Sequence, residues 1–229
     1  MKLPQCEIFS SPADSGREFL FVAGGRKPNL NWFSKVAAGK KIFCIDKGIE
    51  VCHALKLLPE YLIGDFDSAE KNSLDWAKEK NIPVERHPVE KDFTDTQLAI
   101  FFAERLKENF SCIVTGIFGG RYDHLFSTIF SCARSNRKIF LADEREIIFY
   151  LRDGESTEIK FFEKPVAVSL LPITGLCEGV TIKNVRWELD GATLEQNFPN
   201  AISNKISGDE IKISVRKGTL AIYFCFRED

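Results

Sequence analysis

Up to about Asp143 the chain alternates short apolar runs with longer segments of helical period, and beyond that point the alternation stops. Residues 19–23, 42–45, 61–63, 112–115 and 139–141 have the length and composition of buried strands. Between them, 31–38, 50–58, 69–80, 94–109 and 122–134 read as helices. The clearest is 94–109, where Leu98, Phe101, Phe102 and Leu106 recur at helical spacing. Strand and helix in alternation imply right-handed crossovers and a mainly parallel sheet covered on both faces. After Asp143 come only short apolar runs, at 147–151, 158–162, 166–171, 180–182, 202–206, 211–215 and 220–226. Turn signals such as Asp153-Gly154, Asp190-Gly191, Gly208-Asp209 and Lys217-Gly218 separate them. This pattern predicts an antiparallel sandwich or barrel. The expected fold is therefore α/β: an N-terminal Rossmann-like domain over 1–143, then a C-terminal β-rich domain over 144–229, read as a β-sandwich, with no flexible linker between them.

Charge narrows the partners. Thirty-one Lys and Arg against 33 Asp and Glu leave a net charge of −2, so no overall basic field exists to hold a nucleic acid or an anionic membrane. Any anionic ligand must be met locally. The first residues lack an apolar run long enough for a signal-peptide core, and no stretch approaches a membrane span. Seven cysteines form an odd set without a C-x-x-C pair, which indicates neither a disulfide framework nor a zinc site. A cytoplasmic location is expected.

Chemistry concentrates where strands of the first domain end. Gly64-Asp65-Phe66-Asp67-Ser68 follows the apolar Tyr61-Leu62-Ile63. In an open parallel sheet ligands bind just beyond the carboxyl ends of the strands, and two carboxylates two residues apart point the same way on extended chain. Such oxygen ligands suit Mg²⁺ together with substrate phosphates. The competing reading, a helix cap before Ala69, accounts for Asp67 or Ser68 and leaves Asp65 without a role. Lys91-Asp92-Phe93-Thr94-Asp95-Thr96-Gln97 opens the best helix, where Thr94 and Gln97 match a capping box. Taken alone it reads as structural. Lys91 adds a cation at a helix N-terminus, whose free N–H groups can receive phosphate oxygens.

Gly119-Gly120-Arg121-Tyr122-Asp123-His124 follows another strand. Paired glycines let the backbone approach a ligand and Arg121 offers a fork for phosphate, although a tight turn with solvated charges reads equally well. His124 is assigned no chemistry. Gly24-Gly25-Arg26 and Asp46-Lys47-Gly48 repeat the theme at two further strand ends. Acidic groups for metal and basic groups for phosphate at one sheet edge suit nucleotide phosphoryl chemistry. Neither a P-loop nor a G-x-G-x-x-G pattern is present.

At these residues the chain resembles the thiamine pyrophosphokinase family. The match runs in order through Asp46-Lys47-Gly48, Gly64–Ser68, Lys91–Asp95 and Gly119–His124, then Ser169-Leu170-Leu171-Pro172 and Ile202-Ser203-Asn204. The resemblance implies transfer of the pyrophosphoryl group of ATP to the hydroxyl of thiamine, giving thiamine diphosphate and AMP with Mg²⁺ required. It implies that Asp65, Asp67 and Asp95 hold Mg²⁺, that Lys91, Thr94 and Arg121 bind the transferred diphosphate, and that Asp123 completes the nucleotide site. It further implies a homodimer, with thiamine held by Ser203, Asn204 and Trp187. Sandwich-core packing is an equal reading of Trp187.

One departure stands out. The family usually has Ala-Asp-Gly-Gly where this chain has Ile45-Asp46-Lys47-Gly48. Either Lys47 adds a phosphate contact or the backbone runs differently there, which leaves the nucleotide-binding role of Asp46 open. Two rivals share the metal apparatus: a pyrophosphokinase for another heterocyclic alcohol, such as a hydroxymethyl pterin, and a sensor that binds nucleotide or thiamine without turnover. Loss of Asp65 or Asp95 would mark the sensor, and both are present.

Overall fold

The computed structural model describes residues 1–11, 16–88, 92–106 and 109–227. The chain has a mixed α/β fold and divides into two compact units, Ser15–Asp143 and a second made of Met1–Asp14 with Glu144–Asp229. The expected first domain, 1–143, is thus corrected at its start. The reason is β1 (Cys6–Ser11), which pairs antiparallel with β9 (Ser156–Phe161), Ile8 opposite Ile159. Its buried Cys6 and Ile8 alternate with more exposed neighbours, the period of a half-buried strand.

Unit Ser15–Asp143 contains β2 (Arg17–Val22), α1 (Leu30–Ala37), β3 (Lys41–Ile45), α2 (Ile49–Leu55), β4 (Tyr61–Gly64) and α3 (Lys71–Glu79). It continues with β5 (Val84–Arg86), α4 (Asp95–Arg105), β6 (Phe110–Thr115), α5 (Tyr122–Arg134) and β7 (Lys138–Ala142). These strands run parallel in the order β7-β6-β2-β3-β4-β5. β6 is buried along its whole length, and so is β2 from Phe19 onward, as strands covered on both faces require. Phe19 stacks on Phe110 at 4.6 Å between centroids and meets Phe43 at 5.1 Å, while Phe21 stacks on Phe43 at 5.0 Å. Part of the unusual phenylalanine content is therefore a cross-strand ladder. Phe102 of α4 packs on Tyr61 at 5.0 Å and closes one face of the sheet.

The buried stripe of α4 differs from the expected one. Ala99, Ile100 and Ala103 face inward, while Phe101 is 39% exposed and meets Phe93 edge-on at 5.3 Å. Small residues let the helix lie close to the sheet, while Phe102 packs on Tyr61 of β4 and Leu98 and Leu106 are half-buried.

The second unit contains β1, β8 (Glu146–Leu151), β9, β10 (Ala167–Pro172), β11 (Leu176–Lys183), β12 (Leu189–Glu195), β13 (Glu210–Ser214) and β14 (Leu220–Cys225). Five of these strands form one antiparallel sheet, β1-β9-β13-β11-β12, and β10, β14 and β8 pair antiparallel in that order. Phe161 of the first set meets Phe224 of the second edge-on at 5.2 Å, between strands whose inward residues are apolar. The expected strand over 202–206 is replaced by two isolated bridges, Asn204 to Val168 and Ile206 to Val185. Ser203 at φ 58° breaks the extended run and leaves Ile202 exposed. No helix among the described residues is long and apolar enough to cross a membrane.

Candidate functional site

The strand order places a switch point beside β2. From β2 the chain proceeds outward through β3, β4 and β5, then returns through α4 to β6 on the other side of β2. Loops leaving the carboxyl ends of β2 and β6 therefore diverge there and open a crevice. A cleft of about 390 Å³ occupies this position, lined by Gly24 and Gly25 after β2, Asp46 and Lys47 after β3, Thr94–Thr96 at the start of α4, and Gly120 and Arg121. His124, which the sequence left without a role, also lines it, as do Ser68 and Thr128.

Asp46 is the pivot of this cleft. It begins a 3-10 turn, Asp46–Gly48, at φ 47°, and its Oδ1 accepts from the backbone N–H groups of Asp65 (3.2 Å) and Phe66 (3.4 Å). The close approach requires glycine at position 64, where φ is 140° and any Cβ would overlap the Asp46 carboxylate. Burial, reinforced by the charges of Asp95 and Asp65 and opposed by the Phe66 N–H, pushes the Asp46 carboxyl up to about 7. Asp46, Asp65 and Asp95 thus share one electrostatic environment.

Asp67 stands apart from that trio: it is exposed, and its own N–H donates to Asp65 Oδ1 at 3.3 Å. Between the two, Phe66 is buried at φ 65°, with the Arg86 guanidinium 5.5 Å from its ring centre. The extended geometry expected for Asp65-Phe66-Asp67 is therefore replaced by a turn.

At the N-terminus of α4, Thr94 caps the helix as expected. Its Oγ1 accepts from Gln97 N–H at 3.3 Å, and its own N–H donates to Gln97 Oε1 at 2.9 Å. Gln97 is tied in turn to Ser131 of α5 at 2.9 Å. The Thr94 hydroxyl accepts in the cap, so its proton can still be donated to a ligand. Lys91 lies outside the described residues. Arg121 precedes α5 and grips Asp123 through two hydrogen bonds, 3.1 and 2.6 Å, both side chains being exposed. That fork lowers the Asp123 carboxyl below its ordinary value.

Among the described residues no three His, Cys, Asp or Glu side chains form a ready-made metal-ligand set. The chemistry of Asp46, Asp65 and Asp95 nevertheless fits a hard divalent cation. All three offer carboxylate oxygen, and their mutual repulsion at Asp46 is the imbalance such an ion removes.

The second unit has a cleft of its own. It measures about 300 Å³ and is lined mainly by Val168, Leu170, Ile182, Leu194, Trp187 and Asn204. Trp187 is 56% exposed, which excludes full burial in the core, and the Arg186 guanidinium lies 4.8 Å from its ring centre. Asn204 fixes the Trp187 backbone from both sides, accepting from Trp187 N–H (3.1 Å) and donating to Trp187 C=O (2.7 Å). Ser203 does not line the cleft; its N–H donates to Ser169 Oγ at 3.1 Å, which anchors the segment to β10.

Comparisons with known proteins divide the chain in two. Residues 34–141 match the family model described as "Thiamin pyrophosphokinase, catalytic domain", and 156–220 match "Thiamin pyrophosphokinase, vitamin B1 binding domain". Thiamine pyrophosphokinase of Bacillus subtilis is 26% identical over 179 residues, covering 77% of this chain and 83% of that protein. Thiamine pyrophosphokinase 1 of Oryza sativa is 25% identical over 70% of this chain, which spans 64% of the rice protein's length. Among solved structures, the Bacillus subtilis thiamine pyrophosphokinase superposes with a TM-score of 0.82 at 23% identity, covering 93% of this chain and all of that one. The yeast enzyme gives 0.76 at 16% identity, covering 94% and 88%.

Proposed function

The chain belongs to the thiamine pyrophosphokinase family, and from that premise we propose how its two units share the transfer of a pyrophosphoryl group from ATP to thiamine. The Rossmann-like unit binds ATP in the cleft at the β2–β6 switch point, and the other unit, a β-sandwich, holds thiamine against Trp187 and Asn204. The observation that carries this reading is the cluster of Asp46, Asp65 and Asp95 beside a glycine-lined cleft. Its acceptor is supported by the match of 156–220 to a vitamin B1 binding domain.

Asp46, Asp65, Asp67 and Asp95 would hold Mg²⁺. Bound there, Mg²⁺ supplies positive charge to the phosphate oxygens as the transferred group leaves AMP. The chain's own groups then orient the nucleotide. Thr94 donates its hydroxyl proton to a phosphate oxygen while remaining the helix cap. Arg121 exchanges Asp123 for phosphate, because a guanidinium fork that grips two carboxylate oxygens can equally grip two oxygens of a phosphate. Lys91, expected from the sequence, adds a cation to the transferred diphosphate, and Asp123 completes the nucleotide site. The thiamine hydroxyl attacks the β-phosphorus in line, and the exposed indole of Trp187 receives the flat cationic heterocycle. Reaction requires the vitamin on one unit to meet the nucleotide on another, which a cytoplasmic homodimer would accomplish.

The experiment is direct: incubate the protein with ATP, Mg²⁺ and thiamine and separate the products. Thiamine diphosphate with equimolar AMP is the expected result. ADP with thiamine monophosphate would contradict transfer of two phosphates at once, and binding without turnover would favour the sensor.

A further inference from the structure

We propose that Lys47 is a phosphate-binding residue of the nucleotide cleft, its ammonium directed there by a stem that lies on Gly24. This inference rests on the nucleotide reading of that cleft. The backbone around Lys47 is fixed on both sides. Asp46 is held by the N–H groups of Asp65 and Phe66 at the end of β4. Gly48 sits so close to β2 that any Cβ there would overlap the Val22 carbonyl. Between these two anchors the Lys47 stem lies against Gly24. Its Cγ, Cδ and Cε occupy the space where a side chain on Gly24 would begin, Cδ 3.2 Å and Cε 2.8 Å from an ideal Cβ at that position. Gly24 is thus a groove for a lysine stem, and both residues line the cleft.

The ammonium at the end of this stem makes no ion pair among the described residues, whereas Arg121, the other strong cation of the lining, is gripped by Asp123. Lys47 is exposed, so its charge remains hydrated and available. A compact ammonium on a flexible stem suits the tetrahedral oxygens of a polyphosphate, which present charge in several directions. Its sequence neighbour Asp46 and the facing Asp95 are carboxylates, and both disfavour an anion unless a cation offsets them. Lys47 supplies one such cation from the protein itself, beside the glycine-lined wall where backbone can approach phosphate closely.

The test uses full-length protein and a fluorescent ATP analogue, displaced in turn by inorganic tripolyphosphate and by adenosine. Lys47→Met keeps the stem and removes the charge. It should weaken displacement by tripolyphosphate about tenfold and leave displacement by adenosine unchanged, as loss of one charge-assisted contact implies. Lys47→Arg should retain most of the parent affinity. A Cβ at position 24 would collide with the stem, so Gly24→Ala should weaken tripolyphosphate binding in the parent and have little further effect in Lys47→Ala. If Lys47→Met is displaced by tripolyphosphate as readily as the parent, the assignment is wrong. Failure of the parent to bind the analogue would overturn the nucleotide reading itself, and this inference with it. Thermal unfolding of each variant separates loss of binding from loss of fold.

Discussion

The two clefts of this chain are built by opposite means. In the α/β unit the groups that matter are polar, and the backbone places them through positive φ: 47° at Asp46, which opens a 3-10 turn, 65° at Phe66, and 140° at Gly64, which ends β4. The cleft of the second unit is mostly apolar, and its one fixed polar element, Asn204, orients the Trp187 loop through two hydrogen bonds. In the first, burial, reinforced by the charges of Asp95 and Asp65, pushes Asp46 toward neutrality. Among the described residues, the lining of the second holds no carboxylate. A strained, charge-unbalanced cleft suits the positioning of an ion and an anion, and an apolar wall suits a flat organic group.

This contrast can be broken by substitution. The largest effect belongs to the carboxylates. Asp65→Asn should lower turnover by about two to three orders of magnitude while leaving unfolding free energy within about 0.5 kcal/mol, because a metal ligand at the surface contributes little packing. Steady-state kinetics and a denaturant melt check both halves, and an active or an unfolded variant would refute the assignment. Trp187→Ala should raise KM for thiamine about tenfold with KM for ATP unchanged, the size expected for one aromatic face on a cation. Equal changes in both constants would show that the two clefts are not separate in function. Asn204→Ala is expected to act in the same direction with a smaller change, about threefold in KM for thiamine, because it frees the Trp187 loop without removing the ring.

Much of this organisation was legible in the residues. The parallel strands stood out because strands buried on both faces are continuously apolar, and the Thr94–Gln97 capping box was recognisable from two residues at fixed spacing. β1 was missed: its six residues bury only Cys6 and Ile8, and its partner β9 lies far along the chain, Cys6 opposite Phe161. β5 and β12 gave no signal, for neither buries more than one side chain. The site was harder. Position suggested Asp65 and the family resemblance Asp95, but the central place of Asp46 depends on a positive φ and on the missing Cβ of Gly64, features of backbone geometry that composition does not reveal. Ser203 was suggested by its motif, and the anchoring of its backbone N–H to Ser169 Oγ on β10 could not be read from the residues.

The claim that Asp46, Asp65 and Asp95 form a cluster awaiting a cation is tested most directly by stability against pH, with and without Mg²⁺. The folded-state carboxyl of Asp46 lies at about 7, against an ordinary value of 3.8. The folded chain therefore binds the extra proton between those values, and this group lowers stability as the pH rises from about 4 through about 7. Asp46→Asn keeps the acceptor oxygen for Asp65 N–H and Phe66 N–H and removes the charge. At about pH 8 without metal the variant should be more stable than the parent by about 1–2 kcal/mol, at about pH 4 the two should coincide, and Mg²⁺ should close the gap at the higher pH. A parent whose stability is the same as the variant's at the higher pH, or a gap that Mg²⁺ leaves unchanged, would contradict the cluster as a cation site.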